Sequence, residues 1–383
     1  MEEWAQAVFA GQLHSTNSSF TMPGVAAGAA TVGCCLVGGV YGWARWGLGP
    51  RNLPATSGKL PVASRLQRIA GGTQAQIFYP AAPDAKPSER QYMPRTKAEG
   101  LGALAGKLGK IVAPTLMHGT SPTLQGEPAE TKLPVVVFSH GLLGSCEMYT
   151  QTCREIASLG YMVVALEHED SSAFIAFDAK GQPILYDPLP DGGDNSKCVA
   201  LRMPKLRQRA NELSTAVDWI RSGGAGVEAT DLLIAGHSFG AAGVVVALDM
   251  LPPGTFKGAI LYDMWSAPLA EEVLVKKMPS HTPTVNILGE EFGVHCGDTV
   301  RARRIKLFGG TSVPDVYIDG AKHHEFSDFP FLVPEFMYKN RSVTRAASAE
   351  ITRVALESFS AGKAVTQDQL LRIPNVRATP YPQ

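Results

Sequence analysis

Hydrophobic and polar positions along this chain alternate between two patterns. Short, almost continuous apolar runs such as "AQIFYP" around Ile77 and "LPVVVFSHG", which closes at Gly141, are bounded by turn residues. Runs of that length predict strands buried on both faces of a parallel sheet. The stretch "MYTQTCREIASLG" instead repeats its apolar residues at helical spacing and stops at Gly160, as a helix C-terminus does. Strand "YMVVALEH", amphipathic helix "KLRQRANELSTAVDWIRS", strand "DLLIAG" and apolar helix "AAGVVVALDML" continue the alternation. "FKGAILYD", "TPTVNILGE" and "VPDVYIDG" predict three more strands, and "AASAEITRVALESFSAG" a closing helix. Strands that alternate with helices predict an α/β fold, a mainly parallel central sheet covered on both faces.

The beginning of the chain breaks this alternation. "MPGVAAGAATVGCCLVGGVYGWA", from Met22 to Ala44, carries no charge over about the length that crosses a bilayer core. Residues 22–46 are therefore expected as a transmembrane or targeting segment, after an N-terminal tail at 1–21. Arg45, Arg51, Lys59, Arg65 and Arg68 follow the segment, whereas Glu2 and Glu3 precede it. That asymmetry predicts a single-pass anchor with the catalytic portion in the cytoplasm. Cleavage of the segment would instead leave a secreted or organellar protein. "PRNLPATSGKLPVASR" reads as a linker within 47–66, because Pro, Gly and Ser dominate it and no period is visible. Residues 67–365 are expected to form the catalytic domain and 366–383 a C-terminal tail.

Composition narrows the function. The 383 residues are 45% hydrophobic, enough for one large core. The 35 basic side chains are matched by 35 acidic ones, which removes the basic footprint of a nucleic-acid binder. Cys34, Cys35, Cys146, Cys153, Cys198 and Cys296 form no CxxC pair, so neither a disulfide framework nor a zinc site is indicated.

The chemistry concentrates where "DLLIAG" meets "AAGVVVALDML". Between them stands Gly236-His237-Ser238-Phe239-Gly240, a GxSxG corner in which glycines permit a tight strand-to-helix turn and the serine is raised on its tip. A serine hydroxyl needs a base, an acid behind that base and donors for an oxyanion. His323 or His324, just after the last predicted strand, can supply the base. Asp263 and the pair Glu290 and Glu291 end consecutive strands downstream, on the sheet edge where parallel sheets bind ligands, so either position can supply the acid. The oxyanion donors are expected from the backbone of Phe239 and of Leu142, in the loop opened by Gly141 and Gly144. His140 reads as a loop-shaping hydrogen-bonding residue.

Several blocks together resemble the platelet-activating-factor acetylhydrolases of the plasma and intracellular type II kind, calcium-independent phospholipases A2 with an α/β-hydrolase fold. These are "LPVVVFSHGLLGS", "IASLGYMVVALEHEDSSA", "LRQRANEL", "IAGHSFGAAG", "ILYDMWSAPL", "EEF" ending at Phe292, and "HHEFSDF", in order from about residue 73 to 360. The resemblance implies Ser238 as nucleophile, Asp263 as orienting acid and His323 as base, with the Leu142 and Phe239 amides as oxyanion hole. Glu290 and His324 become the runners-up. Glu169 stands in "EHED" where the family usually has Arg.

The resemblance implies a serine esterase acting on the sn-2 acyl ester of glycerophospholipids with short or oxidised chains. No metal or other cofactor is implied. The phospholipid would be the partner, reached through residues 22–46 as a membrane tether. A general carboxylesterase or lipase of the same fold, or an inactive tethered binding module, are the other readings.

Overall fold

Each apolar run predicted as a strand lies in a single eleven-stranded sheet of the computed structural model, which describes residues 53–69, 71–104, 119–188, 195–332 and 335–380. In chain order the strands are β1 (Val62–Arg68), β2 (Gln74–Pro80), β3 (Lys86–Pro87), β4 (Leu124–Gln125), β5 (Lys132–Ser139), β6 (Met162–Leu166), β7 (Ile175–Phe177), β8 (Pro183–Leu185), β9 (Glu228–His237), β10 (Ala259–Tyr262), β11 (Thr284–Gly289), β12 (Asp315–Ile318) and β13 (Val376–Ala378). The sheet runs β13-β12-β11-β10-β9-β5-β6-β2-β1-β4-β3, while β7 and β8 pair separately. From β6 to β12 all neighbours are parallel. Antiparallel β2 and β13 flank this block.

The main helices are α1 (Arg95–Leu104), α2 (Thr150–Ser158), α3 (Asn195–Arg221), α4 (Phe239–Met250), α5 (Asp298–Phe308) and α6 (Arg341–Ser360). Successive residues of a strand point to opposite faces, and the core divides accordingly. Val135, Val137, Ile234 and Leu261 pack with Leu206, Leu213 and Val217 of α3 and Val244 and Leu248 of α4. Val136, Phe138, Ala235, Ile260 and Val285 pack on the other face with Ile156 of α2 and Ile351, Ala355 and Phe359 of α6. This is the α/β architecture read from the pattern.

Two strands reach into segments expected to be linker and tail. β1 starts at Val62, inside 47–66, and pairs residue by residue with β2. β13 lies inside 366–383 and pairs with β12 through Val316 and Ala378. Pro and Ser mask the alternation of the first, and three residues are too few to show a period in the second.

The expected single-pass anchor and cytoplasmic placement are corrected. Among the described residues no helix is long and apolar enough to cross a membrane. The most apolar one, α4, has 12 residues where about 20 are needed, and the long α3 is amphipathic, with Arg202 and Arg209 on its buried side. Residues 22–46, on which that expectation rested, lie outside the described residues.

Behind β5 and β6 a buried ion cluster joins α1 to the sheet. Lys97 Nζ lies 2.9 Å from Glu147 Oε2 and 2.5 Å from Glu167 Oε2, all three side chains at 2% exposure or less. Burial alone would lower the Lys97 pKa, but the two carboxylates raise it well above the ordinary value. Lys97→Met would strand two buried carboxylates, and the expected loss is about 3–5 kcal/mol. Urea unfolding of the purified protein measures it as a fall in midpoint at unchanged slope.

Candidate active site

Leu232 to Ala235 drive β9 into the core, and the chain then reverses within a few residues into α4. The corner leaves no room for side chains at its two glycines. A Cβ on Gly236 would sit 2.6 Å from the carbonyl carbon of Gly240, and one on Gly240 would run into Ser139 O of β5. Ser238 occupies the tip with φ 56° and ψ −118°, a conformation that non-glycine residues adopt at a cost of roughly 1–3 kcal/mol. Its neighbours hold it there. Ser238 N donates to Tyr262 O at 2.9 Å, and Ser238 O accepts from Trp265 N at 3.2 Å.

Three of the residues singled out in the sequence converge at this tip. His323 Nε2 lies 2.9 Å from Ser238 Oγ, and His323 Nδ1 lies 2.5 Å from Asp263 Oδ2. Asp263 follows the last residue of β10 in a left-handed conformation, φ 46°, and its Oδ1 accepts from Gly289 N at 2.8 Å. Burial pushes its carboxyl above the ordinary value, against the pull of His323 and the Gly289 amide. His323 opens a tight 3-10 turn, His323–Phe326. Asp328, just beyond it, accepts from Thr150 N and Gln151 N at 2.9 and 2.8 Å, pinning that loop to the start of α2.

Glu290 and His324 have other surroundings. Glu290 Oε2 accepts from Gly320 N at 2.5 Å, while Glu291 Oε2 accepts from the backbone N–H of His323 at 2.8 Å. The His324 ring meets His323 edge-on at 5.5 Å. Burial, and then the neighbouring His323, lower its pKa to about 3, so it is neutral at physiological pH.

The loop after β5 brings its backbone beside the serine. Gly144 N donates to Gly141 O at 3.0 Å and Leu143 N to Ser172 O at 2.8 Å, whereas no acceptor takes Leu142 N among the described residues. Phe239 N is the first amide of α4, and such amides have no partner within their own helix. A cavity of about 40 Å³ opens here, lined by Leu142, Leu143, Met148, Ser238, His323 and Phe329.

Four further residues shape the site. Phe292 stacks on the His323 ring, centroids 4.1 Å apart at 12°. His237 packs on His323 as well, at 4.8 Å. Tyr149 Oη accepts from Gly141 N at 2.9 Å and lies 2.8 Å from His237 Nδ1. Arg209, fully buried in α3, donates to His140 O at 2.5 Å and to Asp170 Oδ2 at 2.9 Å, and its guanidinium lies 4.6 Å from the centroid of the Phe239 ring. His237 stands inside the GxSxG corner, Phe292 ends the "EEF" block and Arg209 falls on the apolar face of "LRQRANEL", three residues from Leu206 and four from Leu213, whereas Tyr149 carried no signal of its role. Glu169, the departure noted in "EHED", pairs with Arg68 of β1 at 2.7 Å.

Two groups of metal-ligand type lie close among the described residues, His237 with Asp263 and His323, and Cys146 with Glu147 and Glu167. Both have other partners. The first is taken up by the bonds just given and the second surrounds Lys97 Nζ.

The family model "Platelet-activating factor acetylhydrolase, isoform II" matches residues 49–359. A platelet-activating factor acetylhydrolase of Cavia porcellus is 27% identical over 314 residues, 72% of this chain and 68% of that protein. A putative phospholipase A2 of Schizosaccharomyces pombe is 28% identical over 315 residues, 63% of this chain and 70% of its own. Among solved structures, a ferulic acid esterase from Streptomyces cinnamoneus aligns with a TM-score of 0.62 at 17% identity. That alignment covers 85% of this chain and 98% of the esterase, a likeness of fold.

The two helix glycines 240 and 243 provide a test of the corner. Gly240→Ala should cost about 1–3 kcal/mol by overpacking, seen as a lowered urea midpoint. Gly243→Ala, whose Cβ would meet Arg209 Cδ at an ordinary 3.4 Å, should leave the midpoint unchanged or raise it by up to about 1 kcal/mol.

Proposed function

This chain belongs to the platelet-activating factor acetylhydrolase, isoform II, family, and from that premise we propose that it is a serine esterase that removes short or oxidised acyl groups from the sn-2 position of glycerophospholipids. The observation that carries the reading is the unbroken contact from Asp263 through His323 to Ser238 Oγ. Asp263 keeps the proton of His323 on Nδ1, which leaves Nε2 free to accept the Ser238 proton as Oγ attacks the acyl carbonyl. The Leu142 and Phe239 amides take the developing oxyanion. His323 then returns the proton to the departing lysophospholipid oxygen. Water, activated by the same nitrogen, releases the fatty acid from Ser238.

The space beside the serine supports a small acyl group. A cavity of about 40 Å³ beside Ser238 holds only a few atoms, about three waters' worth, and its lining of Leu142, Leu143, Met148 and Phe329 suits a short apolar group. No step calls on a metal.

Ser238→Ala should reduce hydrolysis of a short-chain or 2-acetyl phosphatidylcholine by roughly 10⁴-fold or more and abolish labelling by a fluorophosphonate. Labelling that survives the substitution would overturn the assignment. A wild-type protein that prefers triacylglycerol or p-nitrophenyl esters over phospholipid would replace the reading with a general lipase or carboxylesterase.

A further inference from the structure

We infer that Tyr149 and His237 are positioning residues, a hydrogen-bonded strut that holds the oxyanion loop and the base loop at a fixed separation; the inference rests on the esterase reading of the same site. The strut starts at the backbone. Gly141 N–H can only donate, and it donates to Tyr149 Oη at 2.9 Å. The tyrosine has one proton to give, which it directs to His237 Nδ1 at 2.8 Å. His237 then carries its own proton on Nε2 and donates to the carbonyl of His323 at 3.0 Å. The donor-only amide at one end and the acceptor-only carbonyl at the other demand the same tautomer of His237, and through it the histidine grips the residue proposed as base.

A neutral His237 is required for this chain, since an imidazolium has no lone pair to accept with. Burial, and then the nearby His323 and His324, lower its pKa well below the ordinary value. Tyr149 is itself buried, its ring 5.1 Å from that of Phe138 in β5, so its hydroxyl is delivered from a rigid wall.

The far end of the same peptide is clamped too. His140 O, the carbonyl of the peptide whose N–H binds Tyr149, accepts from Arg209 at 2.5 Å. The next carbonyl, Gly141 O, accepts from Gly144 N at 3.0 Å and lies 2.8 Å from His140 Nδ1. Both peptide planes that lead to Leu142 are therefore held, and its N–H is aimed by their orientation. Removing the Tyr149 hydroxyl releases one of these holds and leaves His237 Nδ1 without its donor. It touches neither the Ser238–His323 nor the His323–Asp263 contact directly.

Tyr149→Phe keeps the ring and removes the bond. With a 2-acetyl phosphatidylcholine, kcat should fall roughly 10- to 100-fold, with KM within about twofold and the thermal midpoint lowered by only about a few degrees as Gly141 N–H and His237 Nδ1 lose a buried partner. His237→Gln, whose amide can still reach the His323 carbonyl but lacks the Tyr149 contact, should show the same split. The double variant should fall no further than the worse single, because the two residues act through one chain. Unchanged kcat in both singles, a rise in KM at constant kcat, or additive losses in the double variant would overturn the strut. Wild-type turnover together with loss on Ser238→Ala separates that failure from failure of the esterase reading. Should Tyr149→Phe not fold, His237→Gln alone decides, by its kcat against KM.

Discussion

One steric constraint organises the rest: α4 leaves β9 so close to β5 that only hydrogen fits at positions 236 and 240. Because the helix starts hard against the strand, the residue between them is forced into a left-handed conformation and its side chain projects from the carboxyl edge of the sheet. The register of the parallel strands does the remaining alignment. Ser139 pairs with Gly236 and Tyr262 with His237, so the loop after β5, the serine corner and Asp263 all begin at one level. Loops emerging at a common level from parallel strands are where such sheets bind ligands.

Charge is buried around this edge in an orderly way. Arg209 faces Asp170, and Lys97 faces Glu147 and Glu167. Neither cation reaches the serine. Each instead fixes backbone: Arg209 through the His140 carbonyl, and the Lys97 cluster through Glu167, which accepts from Cys146 N at 3.1 Å. Buried ion pairs of this kind add little net stability over an apolar replacement, while breaking one by removing a single partner is costly. Burial raises the Asp263 carboxyl, whereas at Asp170 burial is outweighed by Arg209 and the neighbouring donors, which draw it well down. Two aspartates at one sheet edge thus respond oppositely to their surroundings.

How much of this was legible in the sequence depends on the range of the interactions. The strand-helix alternation is local, and it predicted the succession of elements along the chain and the turn that carries Ser238, but not the order of strands across the sheet. The choice between Asp263 and Glu290 is not local, since both end strands on one edge. It turns on Glu290 facing the Gly320 amide and Glu291 the His323 amide, contacts about 30 residues apart. Tyr149 and His237 are 88 residues apart and carry no motif that links them. β13 was too short to announce itself. The membrane anchor was inferred from the uncharged length of 22–46 and the basic residues after it, and no helix among the described residues takes that part.

The family match ends at residue 359, yet the outer edge of β12 is covered by β13 at Val376–Ala378. A polypeptide trimmed to the matched region would expose the amides and carbonyls of β12 as a bare edge, a template for pairing with other chains. Solubility on shortening is therefore governed by the last few residues outside the matched region, far from the catalytic chemistry.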